Sequence, residues 1–295
     1  MSMPRQTAAS VTQSANLPAS SYTQSVQAIY IAYFGRPADP NGLANFSAQL
    51  SALGLPADIQ SINNAYNTNA DLRRLVDSFG NSAESAALYS GDNDAFVTAI
   101  YNNVLNRAPD ADGKGFWVNA VTNGGLTRPN ASLSIMAGAL LNSTPQGLQD
   151  GKLVNNRLAV GANFTSSLNT PDKVAAYSGN AAAASVRAML ASVDANTDVN
   201  GFSATVDATI ANLVAAAGPS FDTVRNIVNA RCISCHSGGS APLGIRLDSD
   251  AGIHNNAGNI YQQVVVTRFM PLGNATNMTD DERNIIKLWY EAGAK

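Results

Sequence analysis

Cys232-Ile233-Ser234-Cys235-His236 holds both cysteines of this chain and one of its two histidines. Two thiols three positions apart, followed directly by an imidazole, form the covalent attachment signature of a c-type haem. The thiols add to the haem vinyl groups from one helical turn, and the histidine offers nitrogen to the iron. Other chemistries fit less well. A thioredoxin-like dithiol needs a βαβ setting, which the surrounding pattern lacks. Structural zinc takes four good donors. Only His254 remains to join the two thiolates, and His236, adjacent to Cys235, is poorly placed to share their metal. The expected cofactor is one haem c per chain, attached through Cys232 and Cys235 with His236 on the iron.

The elements that must position this motif are short helices within residues 217–295. Pro219 or Ser220 opens a helix with Phe221, Val224, Ile227 and Val228 on one face, running into Cys232. A Gly/Ser loop over 237–240 leads to Ala241-Pro242-Leu243-Gly244. A second helix is expected over residues 250–266, with Ile260, Val264 and Val265 inward. The last helix starts with a capping box, Thr279-x-x-Glu282, and carries Ile285, Ile286, Trp289 and Tyr290 on its inner stripe. A domain this small needs a staple, and covalent haem is expected to supply much of its core.

This segment resembles class I cytochrome c. It is similar to the cytochrome domains fused behind bacterial membrane oxidoreductases such as the cytochrome-linked urate oxidase. The likeness rests on the attachment motif, on Ala241 to Asp248, and on Thr267-Arg268-Phe269-Met270-Pro271-Leu272-Gly273-Asn274 and its continuation to Thr279. The resemblance implies Met270 as the distal thioether ligand. It also implies Pro242 as the residue whose carbonyl accepts the His236 Nδ1–H, which would fix the ring's tautomer. Two rivals to Met270 stay open. Met278 directly precedes the helix cap, where its side chain would anchor the turn. His254 sits among Gly252, Asn255 and Asn256, as a surface histidine does.

A repeat precedes this domain. Val26, Ile29, Tyr30, Tyr33 and Phe34 recur 71 residues later as Val97, Ile100, Tyr101, Val104 and Leu105. Each set follows the spacing of a buried helical stripe. Arg36, Asp39, Gly42 and Phe46 likewise match Arg107, Asp110, Gly113 and Trp117. Each unit reads as a helix stopped by Pro37 or Pro109, a turn capped by Asp39 or Asp110, and a second helix carrying an aromatic. Asp110 and Asp112 beside Gly113 suggest a calcium loop, but lack the later ligands of an EF-hand; the plainer reading is a helix cap. Arg36 and Arg107 could hold a phosphate or sugar. The plainer reading ties each turn together through backbone carbonyls or its Asp. The pairs Tyr30/Tyr33 and Tyr101/Trp117 read as core.

At these residues the chain resembles a bacterial domain family of unknown function found in secreted and surface-layer proteins. Residues 155–165, Tyr177-Ser178-Gly179 and an Ala-rich helix ending near Leu190 extend the likeness over about 24–216. It implies an all-helical, extracytoplasmic module without known chemistry. The expected organisation is a flexible tail over 1–23, a helical module over 24–216 and a cytochrome c domain over 217–295. The fold class is all-α, a duplicated helical-hairpin domain followed by a small class I cytochrome c domain. Ala215-Ala216-Ala217-Gly218-Pro219 marks the junction.

The net charge is −3 with 13% charged residues, so no polyanion-binding surface and no nucleic-acid partner are expected. No apolar run is long enough to span a bilayer. Residues 1–23 lack the apolar stretch of an export signal, so the signal is expected to lie outside this numbering. The expected function is periplasmic or cell-surface outer-sphere electron transfer through a His/Met haem, without substrate chemistry of its own. The partner would be a redox protein or membrane oxidoreductase, and the helical module would serve docking, attachment or self-association. Two alternatives remain: a haem peroxidase or ligand-binding haem protein with an open distal site, and a surface attachment protein in which haem is secondary.

Overall fold

The computed structural model describes residues 16–239 and 241–294. The chain is all-α, with no strand among the described residues. It forms two compact units. One runs to Ala162 and takes in Val193–Thr197; the other comprises Asn163–Ser192 and the chain from Asp198 onward. Among the described residues, no helix is long and apolar enough to cross a membrane.

The first unit holds α1 (Thr23–Phe34), α2 (Pro40–Ala52), α3 (Ile59–Ala65), α4 (Ala70–Gly80), α5 (Ala83–Leu88), α6 (Asn93–Leu105), α7 (Ala111–Thr122), α8 (Arg128–Leu141) and most of α9 (Pro145–Ser167). Helix α1 sits at its centre, packed against α2, α4, α5, α6 and α8. Every residue from Ser25 to Phe34 is buried, so α1 is enclosed on all sides rather than along one stripe. Its polar members are satisfied: Ser25 donates to the Ala57 carbonyl, and Gln27 Oε1 accepts from Ala38 N–H at 3.0 Å. Residues 1–15 of the expected tail lie outside the described residues. From Ala19 the chain forms a 3₁₀ turn, and buried Tyr22 donates to the Leu55 carbonyl, because its ring completes the core.

Both copies of the repeat are built alike. Gly35 and Asn106, also 71 residues apart, end α1 and α6 in the left-handed region, with φ of 62° and 56°. Asp39 and Asp110 cap α2 and α7, accepting from Gly42 and Gly113 N–H at 2.8 and 2.7 Å. Arg36 grips Glu84 at 2.7 and 2.8 Å, and Arg107 grips Asp150 at 3.0 and 2.6 Å. Each guanidinium also donates to its own turn, at the Pro37 or Ala108 carbonyl. The turn aspartates are occupied as caps, so the arginines take carboxylates far downstream. The copies differ in their second helices. Helix α2 packs against the 3₁₀ turn and buries Ser47 and Leu50, whereas α7 buries no residue. Trp117 is therefore only half-buried, donating to Tyr101 Oη at 3.1 Å, where a core position was expected.

The second unit contains α10 (Pro171–Ala176), α11 (Gly179–Ala191), α12 (Ser203–Ala217), α13 (Phe221–Arg231), α14 (Asp250–Asn255), α15 (Ala257–Ile260) and α16 (Asp280–Glu291). Helix α12 packs on α10 and α11, and all three share this unit with the haem-motif segment. The Ala-rich stretch at 215–219 is thus a helix end inside the unit. Gly218 turns there with φ of 74°, against Leu288 and Ala292, where a Cβ would have no room. The single helix expected over 250–266 is broken at Asn256, whose side chain donates to the Gly252 carbonyl at 2.9 Å. Helix α15 then passes into a π-helical turn, Tyr261–Val266.

Candidate functional site

Helix α13 begins at Ser220, whose hydroxyl accepts from Thr223 N–H, and buries Val224, Ile227 and Val228. The apolar stripe ends at Arg231, so the chain leaves the helix at the attachment motif. Cys232 is the C-cap, and its carbonyl accepts from Cys235 N–H at 3.2 Å and His236 N–H at 3.0 Å. Both thiols and the imidazole therefore belong to one closed turn. The cysteines are unpaired, Cys232 partly buried and Cys235 exposed. Burial, with the nearby Glu282 charge, pushes the Cys232 thiol up to about 11.

The loop after the motif folds back on it. Leu247 N–H donates to the His236 carbonyl at 2.8 Å, and Gly238 N–H donates to Asp248 at 2.9 Å. Hydrogen bonds from Arg246 and from Gly238 N–H hold the Asp248 carboxyl below its ordinary range. His236 Nδ1 lies 3.0 Å from the Ile245 carbonyl. A carbonyl only accepts, so Nδ1 carries the proton and Nε2 presents its lone pair. The expected acceptor, Pro242, is thereby corrected to Ile245. The Pro242 carbonyl accepts from Ile245 N–H at 3.1 Å, because the turn at Leu243 and Gly244 points the next carbonyl, rather than proline's, at the ring.

Met270 lies half-buried after the π-helical turn, its N–H donating to the Gln263 carbonyl at 3.0 Å. It packs on the same apolar cluster as Cys232, Ile233 and Ile245, around buried Val228, Ile260, Val264, Ile286 and Trp289. The two expected ligand segments thus meet one core. The two rivals have contacts of their own. Met278 is buried in that core, with its backbone N–H on Asn274 Oδ1. His254 stacks on Phe221 at 4.1 Å and its Nδ1 meets the Ala294 carbonyl at 3.1 Å. Tyr290, expected on the inner stripe of α16, instead lies at the surface, stacked on Tyr261.

Two features of the site escaped the sequence. Arg231 grips Glu282 at 3.0 and 3.2 Å and donates to the Thr276 carbonyl, fixing the motif to the first turn of α16. Arg283, next along that turn, is buried and donates to the carbonyls of Val264 and Met270. Its three-residue spacing from Ile286, then Trp289, was a signal: a cation on an apolar stripe.

The residues fit a haem. The thiols are unpaired and the His236 ring is held by a backbone carbonyl, the donor set that a covalently attached haem would take. Large apolar side chains stand out on the ligand loops: Leu243 is 95% exposed, Phe269 57% and Leu272 63%. Leu243 also has φ of 55°, an uncommon place for a bare leucine. An apolar disc against these loops would cover them.

Residues 76–139 match a family described as a domain of unknown function (DUF4214). The match runs from within α4 to α8 and so covers the second copy of the repeat. No curated protein and no solved structure matches the chain.

Proposed function

We propose that the chain is an exported monohaem c-type cytochrome, passing electrons outer-sphere through a haem ligated by His236 and Met270. The observation that carries this reading is the His236 ring, held by the Ile245 carbonyl on the same turn as two unpaired thiols. Bound haem supplies a one-electron ferric/ferrous couple. Cys232 and Cys235 tether it, each S–H adding across one vinyl group without an oxidant. A Cys232 thiol raised by burial would be a poor nucleophile while this core is closed. His236 keeps Nε2 on the iron, and the Met270 thioether favours the reduced state. Leu243, Phe269 and Leu272, exposed on these loops, would lie against a bound haem and keep water from it. With His236 and Met270 both holding the iron, no position would remain for oxygen or peroxide, which favours a carrier over an enzyme. Thioether attachment outside the cytoplasm implies a periplasmic or cell-surface location.

The helical unit would dock the carrier to an envelope partner, a membrane oxidoreductase or other copies of itself. Leu17, Phe116, Leu141 and Leu148 are exposed large apolar side chains among its described residues. The test is periplasmic expression alongside haem-attachment machinery. The expected product keeps haem on a denaturing gel and shows the near-infrared band of a thioether on ferric iron. Free thiols in folded, haem-free protein would overturn the proposal. Covalent haem without that band, binding CO rapidly at neutral pH, would instead support the open-site alternative.

A further inference from the structure

We propose that Arg283 is the positioning residue for Met270: its guanidinium ties the Met270 carbonyl to the π-helical turn and to α16. This rests on the His236/Met270 reading above. Arg283 is 7% exposed, and Nη1 donates to the Val264 carbonyl at 2.6 Å and the Met270 carbonyl at 2.8 Å. The segment leading to Met270 is otherwise held only at the surface: Thr267 N–H donates to the Gln262 carbonyl, Met270 N–H and Thr267 Oγ1 donate to the Gln263 carbonyl, and Arg268 pairs with exposed Asp280. Val266, Thr267, Arg268 and Phe269 are all exposed, so burial does not fix their path. Charge-assisted hydrogen bonds made inside a core are strong and directional.

The site on α16 gives this clamp its meaning. Glu282 holds Arg231, one residue before Cys232, and Arg283 holds Met270. Adjacent residues on one helical turn therefore fasten both segments of the site to the same rigid element. A thioether is a neutral, weak ligand, and its hold on iron depends on how well the chain presents it. Loss of the clamp lowers its effective concentration at the distal position and lets an outside ligand compete.

The test uses the full-length holoprotein with Arg283→Met, Arg283→Lys and a control, Ile227→Val, in the same core. Imidazole is titrated into the ferric form at temperatures well below melting, alongside the near-infrared thioether band, covalent haem content and helicity. Arg283→Met is expected to keep haem and helicity, weaken the band and bind imidazole about 10- to 100-fold more tightly. Arg283→Lys, which keeps the charge but ends short of the Nη1 position that makes both bonds, is expected to fall between. If Arg283→Met does not fold, the Lys variant decides: wild-type imidazole affinity there overturns the proposal. So does an unchanged band and affinity in Arg283→Met, or an equal gain in Ile227→Val, which would reveal mere loosening. A wild-type holoprotein without the band overturns Met270 ligation itself, and is recognised before any variant is made.

Discussion

The aromatic unit around α1 and the small aliphatic core around Trp289 represent two ways of completing an interior. In the first, Tyr22, Tyr33, Tyr66 and Phe79 are enclosed, and Tyr30, Phe34, Phe46 and Phe79 meet ring to ring. Paired arginines lock its turns to distant carboxylates. In the second, the buried side chains are mostly aliphatic, while Leu243, Phe269 and Leu272 stay in solvent beside the motif. The first interior is filled by its own sequence; under the haem reading proposed above, the second would be completed by the cofactor. Both use a buried arginine on backbone carbonyls. Arg157 donates to Asn103 and Val104, and burial brings it down to about 10, while Arg283 serves the ligand loop.

The sharpest break of this contrast is removal of the tether. Cys232→Ala/Cys235→Ala is expected to abolish covalent haem and loosen the Trp289 core, leaving the helical unit intact. The two tryptophans report separately, since Trp117 lies in one unit and Trp289 in the other. Native-like Trp289 fluorescence and sharp near-ultraviolet signals in the haem-free variant would refute the contrast.

The arginine locks come next. Arg107→Leu removes the cation from Asp150, whose side chain is 5% exposed and keeps the Gln146 amide as a donor, and should cost about 2–4 kcal/mol. Arg36→Leu leaves Glu84 at 27% exposed, and about 1 kcal/mol is expected. Urea unfolding followed at Trp117 would show the order; equal losses would mean that burial does not set the difference.

Where haem-free protein keeps the Trp289 core closed, against the expectation above, the thiols give a sign-specific pH test. Burial raises Cys232 from 9.0 to about 11, so the folded state retains its proton where the unfolded chain has lost it. Stability from this group is full below pH 9 and declines as pH rises towards 11. At pH 8, iodoacetamide should modify exposed Cys235 first, with Cys232 slowed by about 100-fold through its smaller thiolate fraction. Equal rates would contradict the burial assigned to Cys232.

The smallest effects compare the two copies of the repeat. A Cβ on Gly42 would lie 2.1 Å from Tyr30 Oη, whereas one on Gly113 would lie 3.2 Å from Tyr101 Oη. Tyr30 is packed among other rings and does not give way. Gly42→Ala should therefore destabilise by about 1–3 kcal/mol. Gly113→Ala should change stability by under about 1 kcal/mol, helix propensity offsetting the contact. Matching melting shifts would show that the copies are equally loose.

Much of the local structure was legible. The aspartates ahead of α2 and α7, and Thr279 with Glu282, announce caps because their partners lie three residues away. The Tyr–Arg–Asp–Gly repeat disclosed two equivalent turns. Harder to see was that α7 would stay uncovered while α2 found a partner in the 3₁₀ turn. Their apolar residues are similarly spaced, and only the path of the preceding chain separates them.

Sequence alone determined the chemistry within one turn: two thiols, an imidazole and the helix leading to them, all set by spacing along the backbone. Tertiary structure alone decided the partners across loops. It chose Ile245 over Pro242 for His236, Glu84 and Asp150 for the repeat arginines, and the Met270 carbonyl for Arg283. The reason is physical. Every residue has a backbone carbonyl, so residue identity does not mark which one a folded loop will aim at a buried donor.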